Sequence, residues 1–373
     1  STYTQVCPVL FGEGAVKHIG DKVKELKGSK AMCIFDQGVK TSGIADKIAD
    51  MLRNEGIDTV MFDGVLPDAP KEMIESAGQI ARENNVDTVI GIGGGSSLDT
   101  AKAVAILADN PKTIDAYYAN KEEFISRSPL ILIPTSSGTG SEVTVMGVIY
   151  DKDSNAKEFV LKHADLAILD PELTISVPPQ VTAATGMDAM SHAVEAYTSN
   201  CGNPKSDILA LEAIRLIADN NMEARTNLSL ASNYAGMSFS DSSVHFGHAA
   251  GHEFGIRFDM PHGIACAIAL PEVITFSAET IPEKTKNIAR ALGIDIPDNA
   301  TGTEAGEWAA ERVRMMMKKI GIKSLKEHGL SRDAVISCAP GAIEKNWFVI
   351  CAVKPVDNNV MAAEMGKMYD NYQ

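Results

Sequence analysis

The chain has 373 residues, of which 45% are hydrophobic and 22% charged, and its formal net charge is -15. This composition is that of a globular protein and excludes a disordered or fibrous chain, while the length predicts two domains. The acidic balance argues against nucleic acid or an anionic membrane as a partner, because both are bound through clustered lysine and arginine.

The N-terminus shows no charged leader followed by an apolar segment, and no uncharged apolar run reaches the roughly 18–20 residues that a membrane span needs. We therefore expect a soluble, cytoplasmic protein. The cysteines agree with a reducing compartment, because they are scattered, form no CxxC pair and are mostly flanked by apolar residues. They are Cys7, Cys33, Cys201, Cys266, Cys338 and Cys351.

The first half of the chain alternates short apolar runs with helical stretches. Between the runs, Ile44–Asn54 and Lys71–Asn84 repeat apolar residues at intervals of three and four, as amphipathic helices do. This alternation predicts βαβ units and a mostly parallel sheet covered on both faces. The predicted strands are Ala31–Phe35, Thr59–Phe62, Thr88–Ile92, Leu130–Ile133 and Asp165–Asp170.

Three consecutive glycines, Gly93, Gly94 and Gly95, follow one of these strands, and we expect Ser96 and Ser97 to open the helix that comes next, with a serine as its N-cap. Glycine permits a tight turn and close approach of a ligand, and a helix start offers unpaired N–H groups and the positive end of its dipole. The segment therefore predicts a diphosphate site. A plain tight turn, which one or two glycines would satisfy, is the alternative.

A second polar loop, residues 134–144, follows the strand that ends at Ile133. Ligands of open parallel sheets bind beyond the carboxyl ends of the strands, so we expect its hydroxyls to reach the nicotinamide amide and ribose. Asp36 ends the first predicted strand and is expected to bind an adenosine ribose and repel a 2′-phosphate, which favours NAD over NADP. An acid in that place is also common in αβ proteins of other function.

After residues 177–180, Val-Pro-Pro-Gln, nearly the whole chain has a helical pattern. We therefore predict an α/β dinucleotide-binding domain over residues 1–178 and an all-helical metal-binding and substrate domain over 179–373. The predicted helices of the second domain are Val181–Thr198, Lys205–Asp219, Ala231–His252 and Thr303–Ile320.

Five of the eight histidines lie between residues 192 and 262, and Asp188 precedes His192 by four residues, which stacks both side chains on one helical face. One such pair is often a surface contact. Several in apolar helices indicate coordination, because burial of an unpaired carboxylate costs several kcal/mol. One carboxylate and three imidazoles suit Fe(II) or Zn(II) with a position open for substrate. Spacing alone does not decide between the later histidines, His245, His248, His252 and His262.

Four segments together closely resemble signatures of the iron-containing (group III) alcohol dehydrogenase family. They are Gly-Gly-Gly-Ser-Ser-Leu-Asp-Thr-Ala-Lys (93–102), Pro-Thr-Ser-Ser-Gly-Thr-Gly-Ser-Glu-Val-Thr (134–144), Gly-Met-Asp-Ala-Met-Ser-His-Ala-Val-Glu-Ala-Tyr (186–197) and Pro-His-Gly (261–263). The resemblance runs from about Phe11 to the helical C-terminus. It implies the fold shared with dehydroquinate synthase, with an active site between the two domains, and a homodimer or larger homo-oligomer.

Carried over residue by residue, the resemblance implies metal ligands at Asp188, His192, His248 and His262. His252 matches a further family histidine that binds substrate or relays protons, whereas His245 has no counterpart among the ligands and is interpreted as structural. The implied cofactor contacts are Asp36, Gly93, Gly94, Gly95, Ser96, Asp99, Lys102, Thr135, Ser136, Thr139 and Ser141.

The reaction that the resemblance implies is the interconversion of a small primary alcohol and its aldehyde by direct hydride transfer to or from NAD, with NADP as the alternative. A divalent ion, Fe(II) in preference to Zn(II), would act as a Lewis acid on the substrate oxygen. His252, with the ribose hydroxyl of the cofactor, would carry the proton to solvent.

Some positions depart from the family pattern, among them Glu253 in place of a usual proline and Arg257 in place of an aromatic or apolar residue. The segment between Tyr150 and Asp165 looks shorter than usual, and Trp347–Pro355 differs from the usual Asn-Pro-Arg ending. We hypothesise that Arg257, with Lys162, favours an aldehyde bearing a sulfonate, carboxylate or phosphonate. An exposed arginine on a loop is the alternative.

Two further readings of the sequence remain. A glycerol-dehydrogenase-type polyol dehydrogenase or a dehydroquinate-synthase-like lyase would share the fold but use zinc with a different ligand set. The pair Asp188 and His192, together with the Gly-Thr-Gly-Ser-Glu loop, favours the alcohol dehydrogenase. A non-catalytic nucleotide- or metal-binding module would need no open metal position.

Overall fold

The computed structural model describes residues 7–219 and 224–373. The chain divides into two compact units, of which one ends at Val177 and the other begins at Pro178. We call them the α/β unit and the helical unit. No helix within the described ranges combines the length and apolarity needed to cross a bilayer.

The α/β unit is built around a parallel six-stranded sheet with strand order β1-β8-β5-β4-β2-β3. Strand β4 is buried along its whole length, as expected for a parallel strand covered on both faces. The strands are β1 (Val9–Phe11), β2 (Lys30–Asp36), β3 (Asp58–Val65), β4 (Thr88–Gly93), β5 (Leu130–Pro134), β6 (Met146–Asp151), β7 (Ala156–Leu161) and β8 (Leu166–Leu169). The predicted parallel α/β sheet is confirmed.

Register fixes which loops meet at the carboxyl edge of this sheet. Strands β4 and β5 are neighbours, and Gly93 at the end of β4 pairs with Pro134 at the end of β5. The glycine turn and the polar loop therefore leave the sheet side by side. Strand β2, which ends at Asp36, lies on the other side of β4.

Five α-helices belong to the α/β unit, and the amphipathic ones bury one apolar stripe. In the third, Ile44, Ile48 and Leu52 recur at intervals of four and are buried against the sheet core. The helices are α1 (Ile19–Glu25), α2 (Gln37–Ser42), α3 (Ile44–Asn54), α4 (Lys71–Glu83) and α5 (Gly95–Asp109). The two helices predicted here correspond to α3 and α4.

Strand β1 and the antiparallel pair β6 and β7 were not predicted from the sequence. The segment that follows Tyr150 reverses at Asn155, which has a positive φ of 49°, and returns as β7. Strand β6 alternates buried and half-buried residues, the pattern of a strand with one face covered.

The helical unit contains only helices in its described part, packed around one large apolar core. The helices are α6 (Pro179–Thr198), α7 (Pro204–Ala218), α8 (Ala224–Ser242), α9 (Phe246–Phe258), α10 (His262–Ala278), α11 (Pro282–Ala291), α12 (Gly302–Lys319), α13 (Arg332–Ile336), α14 (Ala339–Glu344) and α15 (Asn358–Asn371). Helix α6 is almost wholly buried from Gly186 to Thr198.

The single helix predicted over Ala231–His252 is wrong, because α8 ends at Ser242 and α9 begins at Phe246. Ser243 has a positive φ of 65°, and His245 is the N-cap residue of α9 with a non-helical φ of -145° and ψ of -132°. His245 therefore does not lie one turn before His248 on a common helix, and its side chain points elsewhere.

Candidate functional site

The glycine turn brings an uncapped helix start to the edge of the sheet. Gly93 has a φ of 148°, and a Cβ there would lie 2.5 Å from Ser97 Oγ, so only glycine fits. The predicted serine N-cap is wrong: α5 begins at Gly95 with Gly94 as N-cap and no side-chain cap. The first N–H groups of α5 are thus free of a capping side chain, as a phosphate site requires.

Ser97 and the neighbouring polar loop complete this turn. Ser97 Oγ is buried and has no hydrogen-bond partner among the described residues. A Cβ at Gly95 would lie 2.8 Å from Thr139, and one at Gly94 would lie 3.1 Å from Ser136 Oγ. The glycines therefore let the two loops approach each other closely, which brings the hydroxyls of Ser136 and Thr139 beside the helix start.

Lys102 anchors the polar loop from inside the protein. Its side chain is fully buried, and Nζ donates to Met146 O at 2.7 Å, Ser141 Oγ at 2.8 Å and Thr144 Oγ1 at 3.1 Å. Asp99 Oδ1 accepts from Ser141 Oγ at 2.6 Å. Burial lowers the pKa of Lys102, and the charge of Asp99 opposes this. The ammonium is directed at the loop and not at open solvent.

Two other predicted cofactor residues lie at the same edge of the sheet. Asp36 is half-buried and caps α2 by accepting from the Val39 N–H at 2.8 Å. Thr135 is buried, and its N–H donates to Gly93 O at 3.0 Å, next to the helix start. The structure thus brings the predicted cofactor residues from β2, β4 and β5 to one edge.

In the helical unit, three of the four predicted metal ligands converge. Asp188 Oδ1 on α6 lies 3.5 Å from His262 Nε2 on α10 and 3.9 Å from His248 Nε2 on α9. Ligands about 2.0–2.2 Å from a tetrahedral ion are separated by roughly 3.3–3.6 Å, so these spacings are close to those around one ion. Together with Cys266 Sγ, the ligand atoms lie within 4.8 Å of one another.

His192, the fourth predicted ligand, lies beside this group rather than within it. Its Nδ1 is 3.9 Å from Asp188 Oδ2, and its ring stacks between His248 and Phe239 with centroid distances of 4.4 Å to each. His192 Nδ1 and His248 Nε2 are buried and make no hydrogen bond within the described ranges. Such buried nitrogens are costly, by about 1–3 kcal/mol each, unless an ion satisfies them. The donor set therefore fits a divalent metal.

Cys266 was not predicted as a member of this group, although it follows His262 by four residues on α10. Its Sγ lies 3.7 Å from His262 Nε2 and 3.9 Å from Nδ1. An atom sharing an ion with Nε2 would be much nearer to Nε2 than to Nδ1, because the ion lies on the Nε2 side of the ring. Cys266 therefore lies beside the ring of His262.

Glu195 is a second residue that sequence reasoning missed. It is 1% exposed, its Oε1 lies 2.8 Å from His248 Nδ1, and its Oε2 accepts from the His245 N–H. Burial raises the pKa of Glu195, and His245 opposes this. Burial also holds the pKa of His248 well below its usual range, so the ring is neutral and retains a lone pair for a metal. The sequence did contain one sign of this role: Glu195 is an acid on a mostly apolar helix, three residues after His192.

His252 has a defined tautomer. Its Nδ1 lies 2.7 Å from Asn346 Oδ1, and Asn346 Nδ2 donates to Ala342 O at 3.0 Å. The carbonyl of Ala342 orients the amide so that its oxygen faces His252, which assigns the ring proton to Nδ1. In the neutral ring Nε2 is then the proton acceptor. Phe348 packs edge-on against this ring, 5.7 Å between centroids.

Each cation of the anionic-substrate hypothesis has a partner within its own unit. Arg257 is exposed, and its Nη1 donates to Ser337 O at 2.7 Å and Ser337 Oγ at 3.1 Å. Lys162 is buried in the α/β unit, with Nζ 3.7 Å from Asp165. Glu253, which stands where a proline was expected, is buried and forms an ion pair of 2.7 Å with Lys345.

Comparison with known proteins gives matches over nearly the whole chain. Residues 8–171 match the family "Iron-containing alcohol dehydrogenase", and residues 182–362 match "Fe-containing alcohol dehydrogenase family, C-terminal". The choline dehydrogenase of Bacillus subtilis (strain 168) is 35% identical over 342 residues, which are 88% of this chain and 85% of that protein.

Solved structures agree. A 1,3-propanediol oxidoreductase superposes with a TM-score of 0.92 at 31% identity, covering 99% of this chain and 100% of the other. The sulfoacetaldehyde reductase of Bifidobacterium kashiwanohense, solved in complex with NAD+, gives a TM-score of 0.89 at 25% identity over 100% of this chain and 98% of the other.

Proposed function

Because the chain belongs to the iron-containing alcohol dehydrogenase family, we propose that Asp188, His192, His248 and His262 bind its catalytic ion. The family makes the protein a metal-dependent, NAD(P)-linked oxidoreductase of alcohols and aldehydes, which sets aside the lyase and the non-catalytic module. The observation that carries the ligand assignment is the convergence of Asp188, His248 and His262. In addition, His192 Nδ1 and His248 Nε2 are buried and lack a hydrogen-bond partner in the described chain.

We propose that the dinucleotide lies along the carboxyl edge of the sheet, with its diphosphate on the start of α5. Gly93–Ser96 would provide N–H donors, and the hydroxyls of Ser136 and Thr139 would face the ligand. Asp99, Lys102 and Ser141 would act indirectly, by holding the polar loop in place. Asp36 would accept from an adenosine ribose hydroxyl, which disfavours a 2′-phosphate and supports NAD over NADP.

When bound, a divalent ion, Fe(II) in preference to Zn(II), would supply Lewis-acid polarisation of the substrate oxygen, and NAD(P) would supply the hydride chemistry. The role proposed for His252 is to take up the alcohol proton at Nε2 and return it in the reverse direction. Asn346 keeps the other ring nitrogen protonated, which leaves the lone pair of the neutral ring on Nε2.

For the substrate, we propose a short, uncharged primary alcohol and its aldehyde. The proteins reported above are named for a cationic alcohol, a neutral diol and an anionic aldehyde, so the family alone does not fix the charge of the substrate. In this chain Phe348 provides an apolar wall beside His252. Arg257 is exposed and engaged with Ser337, which weakens the case for an anionic group.

The test is steady-state reduction of an aldehyde panel by the metal-reconstituted enzyme, with NADH and NADPH. The panel is propanal, 3-hydroxypropanal, sulfoacetaldehyde and succinic semialdehyde. We expect kcat/KM to be at least tenfold higher for the two neutral aldehydes, and higher with NADH than with NADPH. Tenfold preference for an anionic aldehyde would reverse the substrate assignment, and failure to reduce any member would remove the proposed function.

Arg257→Ala provides the matched variant for this panel. Because Arg257 is held on the surface by Ser337, we expect the variant to change kcat/KM for neutral and anionic aldehydes by the same small factor. A selective loss on the anionic aldehydes would restore the hypothesis that Arg257 recognises an anionic substrate.

We further propose that the enzyme works as a homodimer or larger homo-oligomer in the cytoplasm. The oligomer is supported by the family resemblance, and the reducing compartment by six cysteines that are all free thiols. Light scattering coupled to size exclusion gives the assembly state directly. A monomer at micromolar concentration would contradict the first part of this proposal.

A further inference from the structure

Glu195 connects helix α6 to helix α9 through two contacts. It lies on α6, one turn after His192, and its two carboxylate oxygens bind different groups. Oε1 lies 2.8 Å from the Nδ1 of His248, and Oε2 accepts from the backbone N–H of His245, the N-cap residue of α9. One side chain thus fixes both the start of α9 and the ring that α9 carries.

The hydrogen bond to Nδ1 decides which nitrogen of His248 faces Asp188. A carboxylate can only accept a hydrogen bond, so its partner Nδ1 must carry the ring proton. The neutral ring then keeps its lone pair on Nε2. That nitrogen is buried, has no hydrogen-bond partner in the described chain and lies 3.9 Å from Asp188 Oδ1. Without the carboxylate, the ring proton is free to move to Nε2, where it blocks coordination.

The surroundings are built to hold the carboxylate. A Cβ at position 247 would lie 2.4 Å from Glu195 Oε1, so glycine there leaves the space that the side chain occupies. His245 Nε2 lies 2.9 Å from Thr198 Oγ1. This contact holds His245 in place, and the backbone N–H of His245 donates a hydrogen bond to Glu195. A buried acid with two directed donors and a glycine opposite it has little freedom to move.

We infer that Glu195 is a positioning residue for metal binding, which acts through His248 by setting its tautomer and the entry of α9. The inference rests on the proposed metal site. The role of Glu195 is additional to the proposed ligand set, because Glu195 would control metal affinity without being a ligand itself. Histidine ligands commonly depend on such a partner, and its loss weakens metal binding by roughly 10–100-fold.

The test compares Glu195→Gln with Glu272→Gln as a matched control. Glutamine keeps the shape, but its amide presents one acceptor and one donor, so either His245 N–H or His248 Nδ1–H meets a donor. Glu272 is likewise a buried acid of the helical unit, 2% exposed and bound to Arg314 Nη2 at 2.9 Å. Both variants lose a buried carboxyl group, but only Glu195→Gln removes a partner of His248.

The measurement is the dissociation constant of the metal-free protein for Zn(II) and Co(II), by competition with a chromophoric chelator. We expect Glu195→Gln to weaken binding 10–100-fold and to shift the midpoint of activity against metal concentration by the same factor. Glu272→Gln is expected to remain within threefold of the parent, even if its Tm falls. A merely structural role would lower the folded fraction without moving this midpoint.

Binding by Glu195→Gln within twofold of the parent would overturn the inference while leaving the proposed function intact. Absence of metal binding by the parent itself would overturn the proposed function first. Glu195→Asp serves if the glutamine variant does not fold: the retained but shortened carboxylate should bind the ion with intermediate affinity, and parent-like affinity there would count against the inference.

Discussion

His192 and Cys266 both lie next to the ligand atoms of Asp188, His248 and His262, but their geometry predicts different effects on metal affinity. His192 presents a buried nitrogen 3.9 Å from Asp188 Oδ2 that has no hydrogen-bond partner among the described residues. Cys266 lies beside the ring of His262, almost equally far from both nitrogens. The imidazole is therefore oriented as a ligand and the thiol as a neighbour.

We expect His192→Ala to weaken Zn(II) binding at least 100-fold and Cys266→Ser to weaken it less than tenfold, because only the first removes a ligand. Isothermal titration of the metal-free variants gives both constants. Absorption of the Co(II)-loaded parent adds a second readout, since a thiolate ligand produces a strong near-ultraviolet charge-transfer band. Such a band, lost in Cys266→Ser, would show that the thiol binds the ion after all.

At the level of single residues, the sequence predicted those positions where spacing along a helix carries the signal. Asp188 and His192 share a face of α6, whereas His248 and His262 were singled out from the other histidines only by the family resemblance. Glu195 and the position of Cys266 depend on how α6, α9 and α10 pack against one another, which periodicity does not contain. The predicted serine cap failed because Gly94 adopts the N-cap conformation itself and leaves the serines in the first turn.

Among the elements, long apolar strands and amphipathic helices could be predicted because each has a strong periodic signal. Strand β1 has three residues, too few for any period. The break between α8 and α9 comprises residues 243–245, Ser-Val-His, which include neither glycine nor proline. The break coincides with the hydrogen bond that Glu195 accepts from the His245 N–H, a tertiary interaction that no local pattern predicts.

The hairpin of β6 and β7 contains a buried acidic residue, Asp151, at the end of β6. Its burial could not be predicted from the local sequence. Asp151 is 4% exposed, and its carboxylate accepts from the Asp153 N–H at 2.9 Å and from Tyr118 OH at 3.0 Å, with Lys71 Nζ at 3.2 Å. Burial by itself would raise the pKa of Asp151, but these hydrogen bonds together lower it below its ordinary value.

A lowered carboxyl pKa stabilises the fold above the pKa of the unfolded chain, about 3.9, and this contribution is lost as the pH falls through the folded value. We expect Asp151→Asn to reduce the free energy of unfolding by about 2 kcal/mol at pH 7. The difference from the parent should stay constant down to about pH 5 and shrink below pH 4. Urea unfolding followed by circular dichroism measures it.

Asp153→Asn is the control for this prediction, because Asp153 also lies 3.2 Å from Lys71 but its side chain is 69% exposed. An exposed pair of this kind contributes less than about 1 kcal/mol. An equal loss in both variants, or a difference for Asp151→Asn that persists unchanged at pH 3, would rule out the buried carboxylate as the source of the effect.

For the molecule as a whole, composition and rhythm predicted a parallel α/β unit followed by a helical one. The helical pattern begins near residue 178, and the division of the chain into two compact units falls between Val177 and Pro178. The change of period, from alternating strands and helices to helices alone, is a property of long segments and survives errors in single elements. The strand order of the sheet is different in kind, because it depends on which strands pair over long separations.

Net charge is a second property of the whole chain with a measurable consequence. With 49 acidic and 34 basic side chains the protein carries a formal charge of -15. The excess negative charges repel one another at long range and destabilise the folded state. The ion pairs on its surface are mostly exposed and individually weak, as in Lys24 with Glu55 and Lys157 with Asp68. The Debye length falls from about 30 Å at 0.01 M salt to about 10 Å at 0.1 M, which screens the long-range repulsion strongly.

We therefore expect the Tm of the metal-free protein to rise by roughly 2–4 °C between 0.01 and 0.2 M KCl, because the repulsion that salt removes exceeds the attraction it weakens. Differential scanning calorimetry in the presence of a chelator measures this without interference from metal binding. NaCl should give the same rise as KCl, since the effect depends on ionic strength alone, whereas sulfate would add its own stabilisation by exclusion from the surface. A Tm that falls with added KCl would mean that the surface ion pairs outweigh the net charge.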